Sequence, residues 1–159
     1  MKYNLFKNGL SWFCSNLKEN SWYLIGSSVD YFNIDYPILK INDFDIFIDS
    51  KTYSPNDISK LDNVEDFDYW GSAKYINDTL KCDVYRSLLN LDNNKIIIDW
   101  MFSDTQEKVN FRHFGKLKLP IQTLNGRVDI LRGITINGSD AIKAKDKLDR
   151  YTGEGKTLI

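Results

Sequence analysis

The run Ile41-Asn42-Asp43-Phe44-Asp45-Ile46-Phe47-Ile48-Asp49 constrains this chain more than any other stretch. Side chains alternate between the two faces of an extended strand, so Asp43, Asp45 and Phe47 share one face while Phe44, Ile46 and Ile48 share the other. The second set reads as core. The first sets two acids side by side, which is half of a cage for a hard divalent cation. Mg²⁺ takes oxygen ligands and is usually held by one or two carboxylates together with substrate phosphates.

The preceding residues lead into that strand in a definite order. Phe6, Leu10, Phe13 and Leu17 make one apolar stripe and predict a helix over about 4–17. Trp22–Ile25 is a short apolar run of strand type that stops at Gly26-Ser27-Ser28. A glycine there permits close backbone approach, and a serine opening the next helix puts a hydroxyl beside free backbone N–H groups, a place for phosphate. A plain turn with Ser27 or Ser28 as N-cap explains the same residues. The helix must be short, about Val29–Ile34, because Pro37 disfavours helical geometry at Tyr36.

Beyond the Asp43/Asp45 strand, Ser54-Pro55-Asn56-Asp57 reads as a turn or helix start, and the acids from Asp62 to Asp68 as a solvated face. A further helix is expected around 69–80. Cys82–Leu89 and Lys95–Phe102 read as a hairpin closed by the Asn- and Asp-rich residues 90–94. Its second strand carries one charge, Asp99, in an otherwise apolar centre. A lone carboxylate is costly to bury, so Asp99 is paired with a Lys or Arg, protonated, metal-bound or aimed into a cleft.

The last third turns basic, with Lys108, Arg112, Lys116 and Lys118 around an extended stretch from Gly115 to Gln122. His113, the one histidine, has no partner for zinc or nucleophile chemistry and reads as structural or surface. A turn at Asn125-Gly126, strands at 128–131 and 134–136, and a helix from Ala141 to about Tyr151 capped by residues 137–140 are expected. Lys143, Lys145, Lys147 and Arg150 of that helix read as a solvated face, with contact to phosphate as the alternative. Residues 152–159 read as a flexible tail; Arg150 stands where a P-loop would need its first glycine.

With 21 basic and 22 acidic residues the formal charge is −1, which excludes a general nucleic-acid coat. No apolar leader and no run of eighteen apolar residues occurs, so a cytoplasmic protein with no membrane partner is expected. Cys14 and Cys82 match no metal or redox spacing and read as reduced thiols. Nothing in 159 residues reads as a linker or repeat, so one α/β (α+β) domain is expected over 1–159, with a core over about 1–103 and further strands and a helix over 104–151.

Taken in order, Gly26-Ser27, then fifteen residues, then Asp43-Phe44-Asp45 with Ile46-Phe47-Ile48, and a distal Asp99 behind Ile96-Ile97-Ile98, the chain resembles the nucleotidyltransferase superfamily of the DNA polymerase β type, in its minimal bacterial or phage-like form. The C-terminal Lys143-Ala-Lys-Asp-Lys147-Leu-Asp149 is loosely similar to the closing helix of such members. The resemblance implies a mixed β-sheet with helices packed on it. It implies that Asp43, Asp45 and Asp99 bind Mg²⁺ (or Mn²⁺), with Asp99 also helping to activate the attacking hydroxyl. Gly26, Ser27 and Ser28 would hold the triphosphate of a nucleoside triphosphate such as ATP. Residues 28–39 contain no Lys or Arg, so Lys40 or a C-terminal lysine would supply the basic partner. The acceptor is left open among protein, RNA and small molecule. A catalytically inactive, antitoxin-like or regulatory protein on the same scaffold, with a protein partner, is the other reading; a metal-dependent nuclease is a third.

Overall fold

The structure is a computed structural model and describes residues 1–74, 81–105, 107–137 and 140–153. The alternating runs build one seven-stranded mixed sheet, and helices pack on it, an α+β fold. In chain order the strands are β1 (Trp22–Ile25), β2 (Asp43–Asp49), β3 (Val64–Lys74), β4 (Lys81–Leu91), β5 (Asn94–Ser103), β6 (Val109–Phe114) and β7 (Leu117–Gln122). Across the sheet they lie β3-β4-β5-β2-β1-β7-β6. β2 and β5 run parallel, as do β1 and β7; the other neighbours are antiparallel. The C-terminal third thus extends the same sheet past β1.

Helix α1 (Tyr3–Asn16) buries its predicted stripe, Phe6, Leu10 and Phe13, against the even-numbered residues of β2 and β5. Phe13 meets the rings of Phe44 and Trp100 edge-on, and Phe6 stacks on Phe44 at 5.4 Å. Contacts of this kind add to an already large area burial. Gly9 lets the helix approach so closely, since a Cβ there would lie 2.6 Å from the Phe44 ring. The opposite face carries Tyr23 stacked on Phe47, with Ile25 beside them, and the acids of β2 and β5.

The remaining helices are α2 (Ser27–Ile34), α3 (Pro55–Ser59), α4 (Leu124–Asn137) and α5 (Ala141–Thr152). Ser54 and Asp57 close a reciprocal capping box around Pro55, as the Ser-Pro-Asn-Asp signature predicts. The β4–β5 hairpin turns on Asp92 and Asn93, both at positive φ, the arrangement that matches strand twist and that Asn and Asp tolerate.

Three expectations are corrected. Residues 69–74 belong to β3, where Tyr69 and Ser72 pair with β4, while 75–80 lie outside the described residues. Aromatic residues and an antiparallel neighbour outweigh the weak helical pattern there. Residues 128–131 and 134–136 are not strands but parts of α4. Asn125-Gly126 is its first turn: the Gly126 N–H donates to Thr123 Oγ1, and the Arg127 N–H to the Thr123 carbonyl. β-branched residues are tolerated because Val128 and Leu131 are buried in the core, so packing rather than propensity holds the helix. Finally, Asp140 precedes α5 without capping it through its side chain. His113 is exposed on β6, as expected. No helix among the described residues is long and apolar enough to cross a membrane.

Candidate active site

Strand register brings the acids together. Asp45 of β2 lies directly opposite Asp99 of β5, and Asp43 precedes it on the same face. One carboxylate oxygen from each of Asp43, Asp45 and Asp99 lies within 4.8 Å of the other two. Three hard oxygen donors at that spacing fit a divalent cation such as Mg²⁺ or Mn²⁺ and offer little to a softer metal.

Such a cluster is costly when its charges are all present. Burial, then the charges of Asp43 and Asp99, push Asp45 well above the usual carboxylate range. Burial and the Asp99 charge also push Asp43 up. The direction marks a site short of positive charge.

Gly26 ends β1 beside this cluster. Its φ of +72° is open to glycine, and a Cβ would lie 2.0 Å from Asp45 Oδ2, so any side chain there would displace the carboxylate. Ser27 opens α2, whose free N–H groups and dipole favour an anion. Ser28, by contrast, is buried and donates its hydroxyl to the Ile25 carbonyl, away from the cavity. It tethers the turn; it does not line the site.

A cavity of about 500 Å³ opens over the acids, walled by Gly26, Ser27, Lys40, Arg127, Lys143 and Lys147 among others. Lys40 stands exposed at its edge. Lys147 departs most from expectation: it is buried rather than solvated, with its ammonium 2.9 Å from Ser27 Oγ, 2.8 Å from Asp30 Oδ2 and 4.2 Å from the centre of the Tyr36 ring. The helix turns this lysine inward while Lys145, two residues earlier, pairs with Asp149 at the surface.

Beneath that wall lies a second polar group. Asp30, on α2, accepts two hydrogen bonds from Arg127 at 2.8 and 2.7 Å, one from Tyr151 at 2.7 Å, and the Lys147 contact. Burial alone would push Asp30 up; the Arg127 and Lys147 charges overcome it and hold the carboxyl below its ordinary value. Arg127 is raised by the same partner. This network ties α2, α4 and α5 together behind the cavity wall that carries Ser27 and Lys147.

Arg86, on β4, pairs with Asp99 through Nε and Nη2 at 2.7 and 3.0 Å and stands 3.9 Å from Asp43. The salt bridge weighed for Asp99 therefore exists, within the acid cluster rather than in place of it. Asp30, Arg86, Arg127 and Tyr151 are site residues that the sequence does not single out. Arg127 falls in a stretch read as a turn and strand, Arg86 in an ordinary hairpin strand, and Asp30 in a helix known only by its ends. No family model, no curated protein and no solved structure matches the chain.

Proposed function

We propose that this protein is a Mg²⁺-dependent nucleotidyltransferase that moves a nucleoside monophosphate from a nucleoside triphosphate to a hydroxyl-bearing acceptor, on a scaffold similar to the DNA polymerase β type. The observation that carries the reading is the convergence of Asp43, Asp45 and Asp99 beside the Gly26-Ser27 turn, with Lys147 seated on that turn. Asp43, Asp45 and Asp99 would hold the metal, which when bound neutralises charge on the attacking and leaving oxygens of an in-line displacement at the α-phosphorus.

The chain supplies position and charge. Lys147 donates to the Ser27 oxygen, which leaves the hydroxyl hydrogen of Ser27 for a phosphate oxygen. Lys40 and Lys143 on the cavity wall add diffuse positive charge for the rest of the triphosphate, the part that residues 28–39 lack. Asp99, level with Asp45 and bound to Arg86, is the acid placed to accept the proton of an incoming hydroxyl once its clasp loosens. Transfer of this type asks for alignment and charge neutralisation more than for covalent chemistry.

The Arg86 clasp also favours a second reading, a non-catalytic protein in which Asp99 is simply neutralised. Incubation with each labelled nucleoside triphosphate and Mg²⁺ separates the two. Metal-dependent binding of a triphosphate and label transfer, both lost in Asp43→Asn, support the enzyme; absence of any metal-dependent triphosphate binding leaves the binding protein.

A further inference from the structure

Among the described residues two arginine–aspartate pairs are bidentate, and their surroundings differ. Arg127 and Asp30 are sealed, with side-chain exposures of 6% and 0%. Arg86 is about one-third exposed and has Asp99 on its edge and an indole on its face: its guanidinium carbon lies 3.8 Å from the centre of the Trp70 ring. Trp70 is itself 61% exposed, on β3, where the register with β4 slips between Tyr69 and Gly71. That bulge adds a residue to the edge strand, and bulges re-aim side chains. The cation is therefore held by a carboxylate that the metal would need and by a ring that water reaches.

A guanidinium on both oxygens of Asp99 and a divalent cation among Asp43, Asp45 and Asp99 are mutually repulsive at these distances. We infer that Arg86 is a displaceable counter-ion: it clasps Asp99 while the site lacks metal, Trp70 stabilises the clasped position, and arrival of the divalent cation drives the guanidinium off Asp99 toward the open cleft. The inference rests on the metal-dependent reading above and adds its regulation. Arg86 is a positioning residue in this scheme, closing the third carboxylate to the metal until a cation outcompetes it. Once released it remains a mobile positive group beside the cavity, where triphosphate oxygens would attract it.

The test uses binding of metal, independent of turnover. Mn²⁺ titrated calorimetrically into the full chain should bind Arg86→Gln roughly tenfold more tightly than the unaltered protein, because a competing cation has gone. Lys143→Gln removes a cation from the same cavity wall without unclasping Asp99 and should change affinity less. Trp70→Leu, which alters no charge, should tighten Mn²⁺ binding by about two- to threefold by weakening the clasp. Trp12, Trp22 and Trp100 are buried, so acrylamide-accessible tryptophan emission reports Trp70. Adding Mg²⁺ should change that emission in the unaltered protein and leave it unchanged in Arg86→Gln. Equal Mn²⁺ affinity in all variants together with a silent Trp70 overturns the clasp and leaves the metal-dependent reading standing; no Mn²⁺ binding by any variant overturns both.

Discussion

Asp45 lines the cleft and Asp30 lies buried behind its wall, and the two answer their surroundings in opposite ways. Asp30 has a guanidinium, an ammonium and a phenol on it, and its carboxyl is held below the ordinary value despite burial. Asp45 has two acids for neighbours, and burial with their charges drives it up. The difference separates an acid neutralised by partners of its own chain from one set among like charges, where a divalent cation could be held. Charge satisfied internally stabilises; a cluster of like charges in a concave place is costly, and on the reading proposed above a bound divalent cation would offset that cost.

The sharpest way to break the comparison is to neutralise each acid in turn. Asp45→Asn should abolish nucleotide transfer, by at least about a thousandfold, since the metal loses a ligand. The same change should leave the metal-free fold intact and raise its melting temperature by roughly 3 °C, because like-charge repulsion is relieved. Full transfer activity in Asp45→Asn would end the enzymatic reading. Asp30→Asn should do the reverse to stability, costing about 3–5 kcal/mol in chemical denaturation by stranding Arg127 and Lys147 without their anion. A loss under 1 kcal/mol would mean the network contributes little.

Acidity distinguishes them next. Asp30 has a lowered carboxyl, so its contribution to stability is present above the ordinary value of 3.8 and is lost as pH falls through the lowered one. Asp45 has a raised carboxyl, so its contribution is full below 3.8 and is lost as pH rises through the raised value. Metal-free protein should therefore weaken on both sides; Asp45→Asn should flatten the upper side, and saturating Mg²⁺ should restore it in the unaltered chain. Thermal melts across pH, with and without Mg²⁺, read this directly. The smallest effect belongs to the exposed counterpart on α5: Lys145→Ala, which breaks the surface pair with Asp149, should cost less than about 0.5 kcal/mol. A cost comparable to that of Asp30→Asn would erase the contrast between sealed and surface pairs.

The sheet centre was legible because its signals are local. Period-two alternation in 43–48, the apolar run of 95–102, the α1 stripe and the Asp-Asn turn each act within a few residues, and the structure has them where the sequence implies. The site was half legible. Asp43 and Asp45 follow from strand alternation, Asp99 from its unlikely place in an apolar strand, and Gly26-Ser27 stays open between a plain turn and a phosphate site except through the family resemblance. What stayed hidden was the cationic half. Lys147 and Lys145 look alike in sequence, and only the rotation of α5 against α2 makes one buried and the other exposed. Likewise Arg127 lies in residues whose β-branched character reads as strand, and tertiary packing decided otherwise.

The glycine at the end of β1 has a consequence for how this site could change over time. Because the space beside its α-carbon is already taken by an oxygen of Asp45, the backbone there and the acid are sterically coupled. A variant that enlarges residue 26 dislodges the carboxylate, and shortening residue 45 would free room without removing the strain that a side chain meets at that φ. Position 26 is thus bound to glycine twice over, by the carboxylate beside it and by a backbone φ of +72° that larger residues rarely adopt.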